Sequence, residues 1–157
     1  MADRRIHIDK ALDPFVEKLR DIDDGRGPFS MKVDVLSFAA CYAARLGLSS
    51  KLSETTKSPI RQDVFDTNNY ENLFYLLAIH KTGDASVLGS SDEAQDVRAT
   101  IFEEYAKAGL ERMAYESADQ VDLTDYILSL VSKYREDKKN DSLADAKGLD
   151  LSDLIDD

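Results

Sequence analysis

The sequence is poor in the residues that build covalent and metal-bound frameworks. Of its 157 residues, one is cysteine, two are histidine and none is tryptophan. A single cysteine excludes an intrachain disulfide and a thiolate metal cluster. The two histidines, His7 and His80, have neither the His-x-x-x-His nor the Glu-x-x-His spacing of common metal sites. We therefore expect no metal site and no cofactor, and a fold that side-chain packing stabilises.

Long apolar runs are also missing. The longest ones, such as 38–44, end at a charge well before the roughly 18 residues that a membrane span requires. The N-terminal Met-Ala-Asp-Arg-Arg reaches a charge at its third residue and has no apolar stretch typical of a secretory signal. The sequence therefore predicts a cytoplasmic protein without a membrane partner.

Recognisable catalytic motifs are absent as well. The glycine cluster Gly25-Arg26-Gly27-Pro28 has neither the dinucleotide-binding fingerprint nor the Gly-Lys-Ser/Thr ending of a phosphate-binding loop. Cys41 lies among alanines in a predicted helix, which is typical of a small buried residue and not of a nucleophile. We predict that the protein has no catalytic residues and is not an enzyme.

Charge is abundant and unevenly distributed. Charged residues make up 32% of the chain and the formal net charge is −11. Residues 1–62 hold eleven Lys and Arg against nine Asp and Glu, whereas residues 63–157 hold nine against twenty-two. Any nucleic-acid face is therefore expected in the first part, because phosphate binding needs positive charge.

The hydrophobic pattern predicts a mainly α protein that begins with a short strand. Arg5 to Ile8 alternates polar and apolar residues, which is the period of a strand. Apolar residues at three- and four-residue spacing then predict a bundle of about five helices, near 9–22, 30–46, 70–80, 91–116 and from 122 or 124 onward. Residues 60–65 could add a short helix. We expect one domain over 1–136, made of a strand-helix-helix unit at 1–47 and a helical remainder at 60–136.

The last 21 residues, 137–157, contain seven acids, three lysines and no aromatic residue. This composition predicts a flexible, disordered acidic tail. The tail regains apolar residues at Leu151, Leu154 and Ile155, so it could either only improve solubility or fold as a short amphipathic helix on a partner protein.

A strand, a helix, a glycine-containing turn and a second helix within about 45 residues is the order of a ribbon-helix-helix unit. In that class, strands of two protomers pair as a homodimer and their outward side chains read the major groove of DNA. The alternative is a strand with a purely structural role. The basic side chains that a DNA-binding role would use are Arg4, Arg5, His7, Lys10, Arg26, Lys32, Lys51, Lys57 and Arg61.

Three segments resemble one known family. They are Ser-Pro-Ile-Arg-Gln-Asp-Val-Phe at 58–65, Asn-Tyr-Glu-Asn-Leu at 69–73 and Ile-Phe-Glu-Glu-Tyr-Ala-Lys-Ala-Gly-Leu-Glu at 101–111. In these, the chain is similar to the DNA phosphorothioation-associated protein 4 family, also called Dnd system-associated protein 4, over roughly residues 5–112. The resemblance implies a bacterial accessory protein of anti-phage systems that place sulphur in the DNA backbone or restrict unmodified DNA. It also implies that the partners are other proteins of that system.

Three functions fit these observations. The first is a non-enzymatic accessory protein that docks on a larger defence protein and helps it engage DNA. The second is a dimeric ribbon-helix-helix-like transcriptional regulator. The third is an acidic DNA mimic that inhibits DNA-binding proteins, which the balance of −13 in residues 63–157 suggests.

Overall fold

A computed structural model of the chain describes residues 4–20 and 27–147, with side chains up to residue 140. These residues are mainly helical, as the sequence predicts. None of the helices within them is long and apolar enough to cross a membrane. The α-helices are α1 (Asp13–Leu19), α2 (Lys32–Leu46), α3 (Gln62–Thr67), α4 (Glu71–Thr82), α5 (Asp92–Glu116) and α6 (Leu123–Lys147), and 3₁₀ turns cover Lys10–Leu12 and Ala85–Leu88.

The helix predicted over 9–22 is divided in two. The Asp9 side chain accepts a hydrogen bond from the Ala11 N–H and caps the 3₁₀ turn, and α1 then begins at Asp13 with Pro14 in its first turn. Proline fits a first turn because its missing N–H would have no partner there. α1 ends at Leu19, because Arg20 has extended backbone angles.

The N-terminal strand β1 (Arg5–Ile6) pairs antiparallel with β2 (Ile60–Arg61) of the same chain. Arg5 lies opposite Arg61, and Ile6 lies opposite Ile60. The predicted strand-helix-helix order is therefore present. However, the two-stranded ribbon, which consists of β1 and β2, forms within one chain and not between two protomers. The short helix predicted over 60–65 begins at Gln62 instead, since Ile60 and Arg61 extend to hydrogen-bond β1.

The core of the first unit forms where α2 packs on α5. Val33, Val35 and Leu36 of α2 are all but completely buried, as its nearly continuous apolar surface predicts. A cluster of three buried aromatic rings, Phe65, Phe74 and Phe102, joins α3, α4 and α5. The Phe74 and Phe102 rings stack with their centroids 4.3 Å apart. This packing holds α3 and α4 against α5 and fixes the cleft described below.

The chain divides into two units, residues 1–123 and 124–157. Nearly all of α6 lies in the second unit and extends to Lys147, eleven residues into the segment predicted to be a flexible tail. The helix continues because residues 123–147 contain neither proline nor glycine, and Gly148 is the first residue that strongly disfavours it. The remaining tail, with Leu151, Leu154 and Ile155, lies outside the described residues.

Candidate functional site

The predicted DNA-binding residues near the N-terminus contact acidic and amide side chains of α5. Arg4 donates from Nε to Asp96 Oδ1 over 2.9 Å and from Nη1 to Gln95 Oε1 over 2.5 Å, and only 11% of its side chain is exposed. His7 engages Glu103 Oε1 twice, from its backbone N–H at 2.8 Å and through ring Nδ1 at 2.9 Å. These contacts fasten the ribbon to α5 and occupy both side chains.

Lys10 and Lys32 are also paired. Lys10 Nζ lies 3.1 Å from Glu54 Oε1, and Lys32 Nζ lies 2.8 Å from Glu17 Oε1 and 3.3 Å from Asp13 Oδ1. Burial alone would lower the pKa of Lys32, but the hydrogen bonds to the two carboxylates raise it. Lys32 therefore joins α2 to α1 as a persistent cation.

The other predicted basic residues are dispersed. Lys51 and Lys57 are exposed on the loop between α2 and β2, and Arg26 lies outside the described residues. Arg61 pairs with Asp63. The ribbon brings Arg5 and Arg61 opposite each other. Among the described residues, the structure therefore brings Arg5 and Arg61 together, while Lys10 and Lys32 contact acids of other segments.

A buried ion pair connects three separate segments of the first unit. Asp9 Oδ2 lies 3.1 Å from Lys107 Nζ and accepts hydrogen bonds from the Ser53 N–H and hydroxyl at 3.0 and 3.2 Å. Lys107 also donates to the Lys51 carbonyl over 2.6 Å. Burial would raise the pKa of Asp9, but the hydrogen bonds from Ser53, Lys107 and Ala11 outweigh it and lower that pKa. The pair holds the 48–57 loop on α5.

A cleft of about 550 Å³ opens where the ribbon, α3, α4 and α5 meet. We call it the mixed-charge cleft, because side chains of both signs line it, and its lining residues include Arg4, Arg61, Arg98, Asp63, Asp66, Glu71, Phe74 and Tyr75. Burial raises the pKa of Asp66, and the neighbouring carboxylates of Glu71 and Asp63 raise it further. The cleft therefore contains crowded acids beside arginines.

Arg98 is the basic residue of this cleft that the sequence prediction missed. It is 4% exposed, donates from Nη1 to the carbonyls of Val87 and Gly89 at 2.6 and 2.8 Å, and stacks on the Tyr75 ring with Cζ 4.3 Å from the centroid. The signal was available, because Arg98 lies four residues before Phe102 and four after Ala94 and so shares their buried face.

A second cleft, of about 430 Å³, lies between α2 and α4 and is lined partly by Phe29, Phe38 and Cys41. Cys41 was expected to be buried, but it is exposed, because it lies on the side of α2 that lines this cleft. Local burial of its thiol nevertheless raises the pKa of Cys41. At the same cleft, burial and a 2.7 Å hydrogen bond to Asp34 raise the pKa of Tyr70 to about 12.

None of these arrangements is a metal centre. Within residues 4–20 and 27–147, no group of three or more His, Cys, Asp or Glu side chains is placed to hold a metal ion.

The family of the chain follows from comparison with known proteins. A family model described as DNA sulphur modification system-associated protein 4 matches residues 5–151. The match extends well beyond the 5–112 expected from the sequence segments and includes α6. Neither the curated proteins nor the solved structures give a significant match. The chain belongs to the DNA sulphur modification system-associated protein 4 family.

Proposed function

We propose that this protein is a non-catalytic accessory protein of a DNA sulphur modification system, and that it acts by binding other proteins of that system. In this role it supports the modification or restriction steps that defend the cell against phage. Membership of the family supplies the context. The surface of the first unit favours protein partners over DNA as the main ligand.

The observation that carries the proposal is the internal pairing of the basic residues. Arg4, His7, Lys10, Lys32 and Arg61 all engage acidic side chains of this chain. A protein that binds DNA gains affinity by neutralising phosphates, and paired cations do this poorly because their own carboxylates compete. A net charge of −11 adds repulsion at long range.

Exposed apolar side chains support a protein partner. Val121 is fully exposed, Tyr115 is 81% exposed and Leu76 is 62% exposed. Val121 borders a cleft of about 780 Å³ between α1 and the end of α5, together with Phe15 and Ala118. Large apolar residues that border a concave surface are typical of protein-binding sites.

Direct contact with DNA is the second candidate. It is favoured by the register of the ribbon, which places Arg5 opposite Arg61 on exposed positions. Two guanidinium groups on neighbouring strands suit a phosphate, which would compete with Asp63 for Arg61. A dimeric DNA-binding regulator is one form of this candidate. It is less favoured, because β1 already pairs with β2 of the same chain and not with a second protomer.

Two sets of substitutions separate the candidates. Val121→Asp places a charge at the edge of the cleft between α1 and the end of α5, and Arg5→Gln with Arg61→Gln removes the positive charge of the two strands. We expect Val121→Asp to weaken binding to a purified protein of the system in size-exclusion chromatography, while the double arginine variant binds normally. Loss of binding to a DNA duplex in the arginine variant, with no protein of the system bound by the parent chain, would refute the proposal.

A further inference from the structure

Arg98 is a buried cation without an anionic partner in the part of the chain that the structure describes. Nη1 makes both of its hydrogen bonds, to the carbonyls of Val87 and Gly89. Its Nε and Nη2 have no hydrogen-bond partner among the described residues, and Arg98 lines the mixed-charge cleft. Neither of these two nitrogens is itself fully buried, so both can donate to a ligand in the cleft that accepts hydrogen bonds.

Two carboxylates of the same cleft are complementary to Arg98. Asp66 lies at the end of α3 and Glu71 at the start of α4, and neither side chain has a cationic partner among the described residues. The other charges of the cleft are already satisfied, because Arg61 pairs with Asp63 and Arg4 with Asp96. After internal pairing, the cleft offers donors from one guanidinium and acceptors from two carboxylates.

The aromatic residues of the cleft already pack on other side chains, so its size and hydrogen-bonding groups select the ligand. Phe74 is buried beneath it, and Tyr75 holds the Arg98 guanidinium against its ring. A cleft of about 550 Å³ is large enough for a nucleoside, since small-molecule sites span roughly 300–1,000 Å³.

From these features we propose that the mixed-charge cleft binds a guanine base. Guanine carries two acceptors, O6 and N7, which match arginine, and two donors, N1–H and the 2-amino group, which match a carboxylate. Arg98 binds the O6 and N7 edge, and Asp66 or Glu71 accepts from the N1 edge. A bare phosphate has acceptors only and is repelled by the two acids. The inference does not depend on the protein contacts proposed above.

The ligand itself supplies the sharpest test, because changing the base leaves the protein intact. The full chain is titrated calorimetrically with guanosine, inosine, 7-deazaguanosine and adenosine. We expect guanosine to bind best, and loss of the 2-amino group in inosine or of N7 in 7-deazaguanosine to weaken binding about tenfold, the cost of one hydrogen bond to a charged group. Equal binding of adenosine, or no binding of guanosine, overturns the proposal.

Further titrations identify the source of the base and exclude an arginine ligand. Guanosine monophosphate and a single-stranded oligonucleotide with one guanine are compared, and tighter binding of either one assigns the base to that source. N-acetylarginine amide tests whether the acids instead hold an arginine of a partner protein. If that amide binds and guanosine does not, the inference is wrong.

Matched variants assign the site. Asp66→Asn and Glu71→Gln change exposed carboxylates of the cleft, so we expect at least one of them to weaken guanosine binding about tenfold. Asp119→Asn and Glu93→Gln are the controls, because both change exposed acids outside the cleft, and Glu93 occupies the first turn of α5 as Glu71 does that of α4. If the controls weaken binding as much as the cleft variants, guanosine does not bind there. Arg98→Lys keeps the charge but loses the planar fork, and should also bind guanosine more weakly.

Discussion

Gly109 of α5 lies directly against the backbone of Ala39 in α2. A Cβ atom at Gly109 would fall 3.0 Å from the Ala39 Cα and closer still to its carbonyl group. The two central helices therefore approach each other backbone to backbone. Gly109 lowers the helix propensity of α5, but its missing side chain allows α5 to pack closely on α2.

Gly109→Ala should destabilise the protein. The added methyl group would push α2 away from α5, and overpacking of this kind costs about 1–3 kcal/mol, which exceeds the gain of about 1 kcal/mol in helix propensity. We expect a lower free energy of unfolding in urea denaturation. Gly47→Ala is the comparison, because Gly47 has open space around it and loses only the ease of its left-handed conformation, at φ 68°. A Gly109→Ala variant more stable than the parent chain would contradict this packing.

Asp9 should make the stability of the protein sensitive to acid. Its pKa is lowered in the folded state, so its contribution is present above pH 3.8, the ordinary value, and is lost as the pH falls through the lower folded value. Asp9→Asn removes the nearer anion of Lys107, which is only 11% exposed and then keeps only Glu111 at 3.7 Å among the described residues, and should cost about 1–3 kcal/mol at neutral pH. Urea denaturation of parent and variant should differ at pH 7, and the difference should shrink as the pH falls below 3.8 toward the lowered pKa of Asp9. If the difference in unfolding free energy between parent and variant stayed the same from pH 7 to acid, the negative charge of Asp9 would contribute nothing to stability.

Tyr70 should ionise later than an ordinary tyrosine. Burial and the Asp34 carboxylate raise its pKa to about 12, so its contribution to stability is complete below pH 10 and is lost as the pH rises through 12. Ultraviolet titration of the seven tyrosines should show a late component. Tyr70→Phe should remove that component and Asp34→Asn should move it to lower pH. An unchanged late component in Tyr70→Phe would assign it to another tyrosine.

Cys41 should be reachable but slow to react. Its side chain is exposed on α2, while local burial raises the thiol pKa and reduces the fraction of reactive thiolate. We expect a disulfide reagent to modify the native protein completely at pH 8, more slowly than it modifies free cysteine. Full protection until denaturation would mean that the thiol is buried after all.

Helix ends that carry a clear local signal could be predicted from the sequence. The long helix α5 begins after Ser91, whose hydroxyl accepts from the Ala94 N–H, and α2 ends at Gly47 in the left-handed conformation. Both features follow from local chemistry, because serine caps a helix start and glycine tolerates a positive φ. The end of α6 was misplaced, since an acidic composition indicates solvation and does not by itself prevent a helix.

Contacts between distant residues could not be predicted. The pairing of β1 with β2 joins residues 54 and 56 positions apart, and the bond from Arg4 to Asp96 joins residues 92 positions apart. A basic residue near the N-terminus predicts positive charge at that point, but not the acidic residue that the fold places beside it. For the same reason the mixed-charge cleft was missed, because its lining comes from four separate elements.

The prediction that residues 151, 154 and 155 bind a partner stays open and has its own test. Replacing Leu151, Leu154 and Ile155 together by serine removes the apolar residues and leaves the acids of the segment in place. We expect weaker binding to the partner protein and unchanged unfolding of the rest of the chain. Unchanged binding would leave the segment only a role in solubility.

The proposed action through contacts with proteins of the sulphur modification system can be measured directly. The most direct measurement is a calorimetric titration of the full chain at low salt, first with each purified protein of the system and then with a DNA duplex. We expect at least one of the proteins to bind with a Kd of about 1 μM or tighter, and the duplex to bind far more weakly because the cations are paired internally. Binding to the duplex with no binding to any of the proteins would contradict the proposed function.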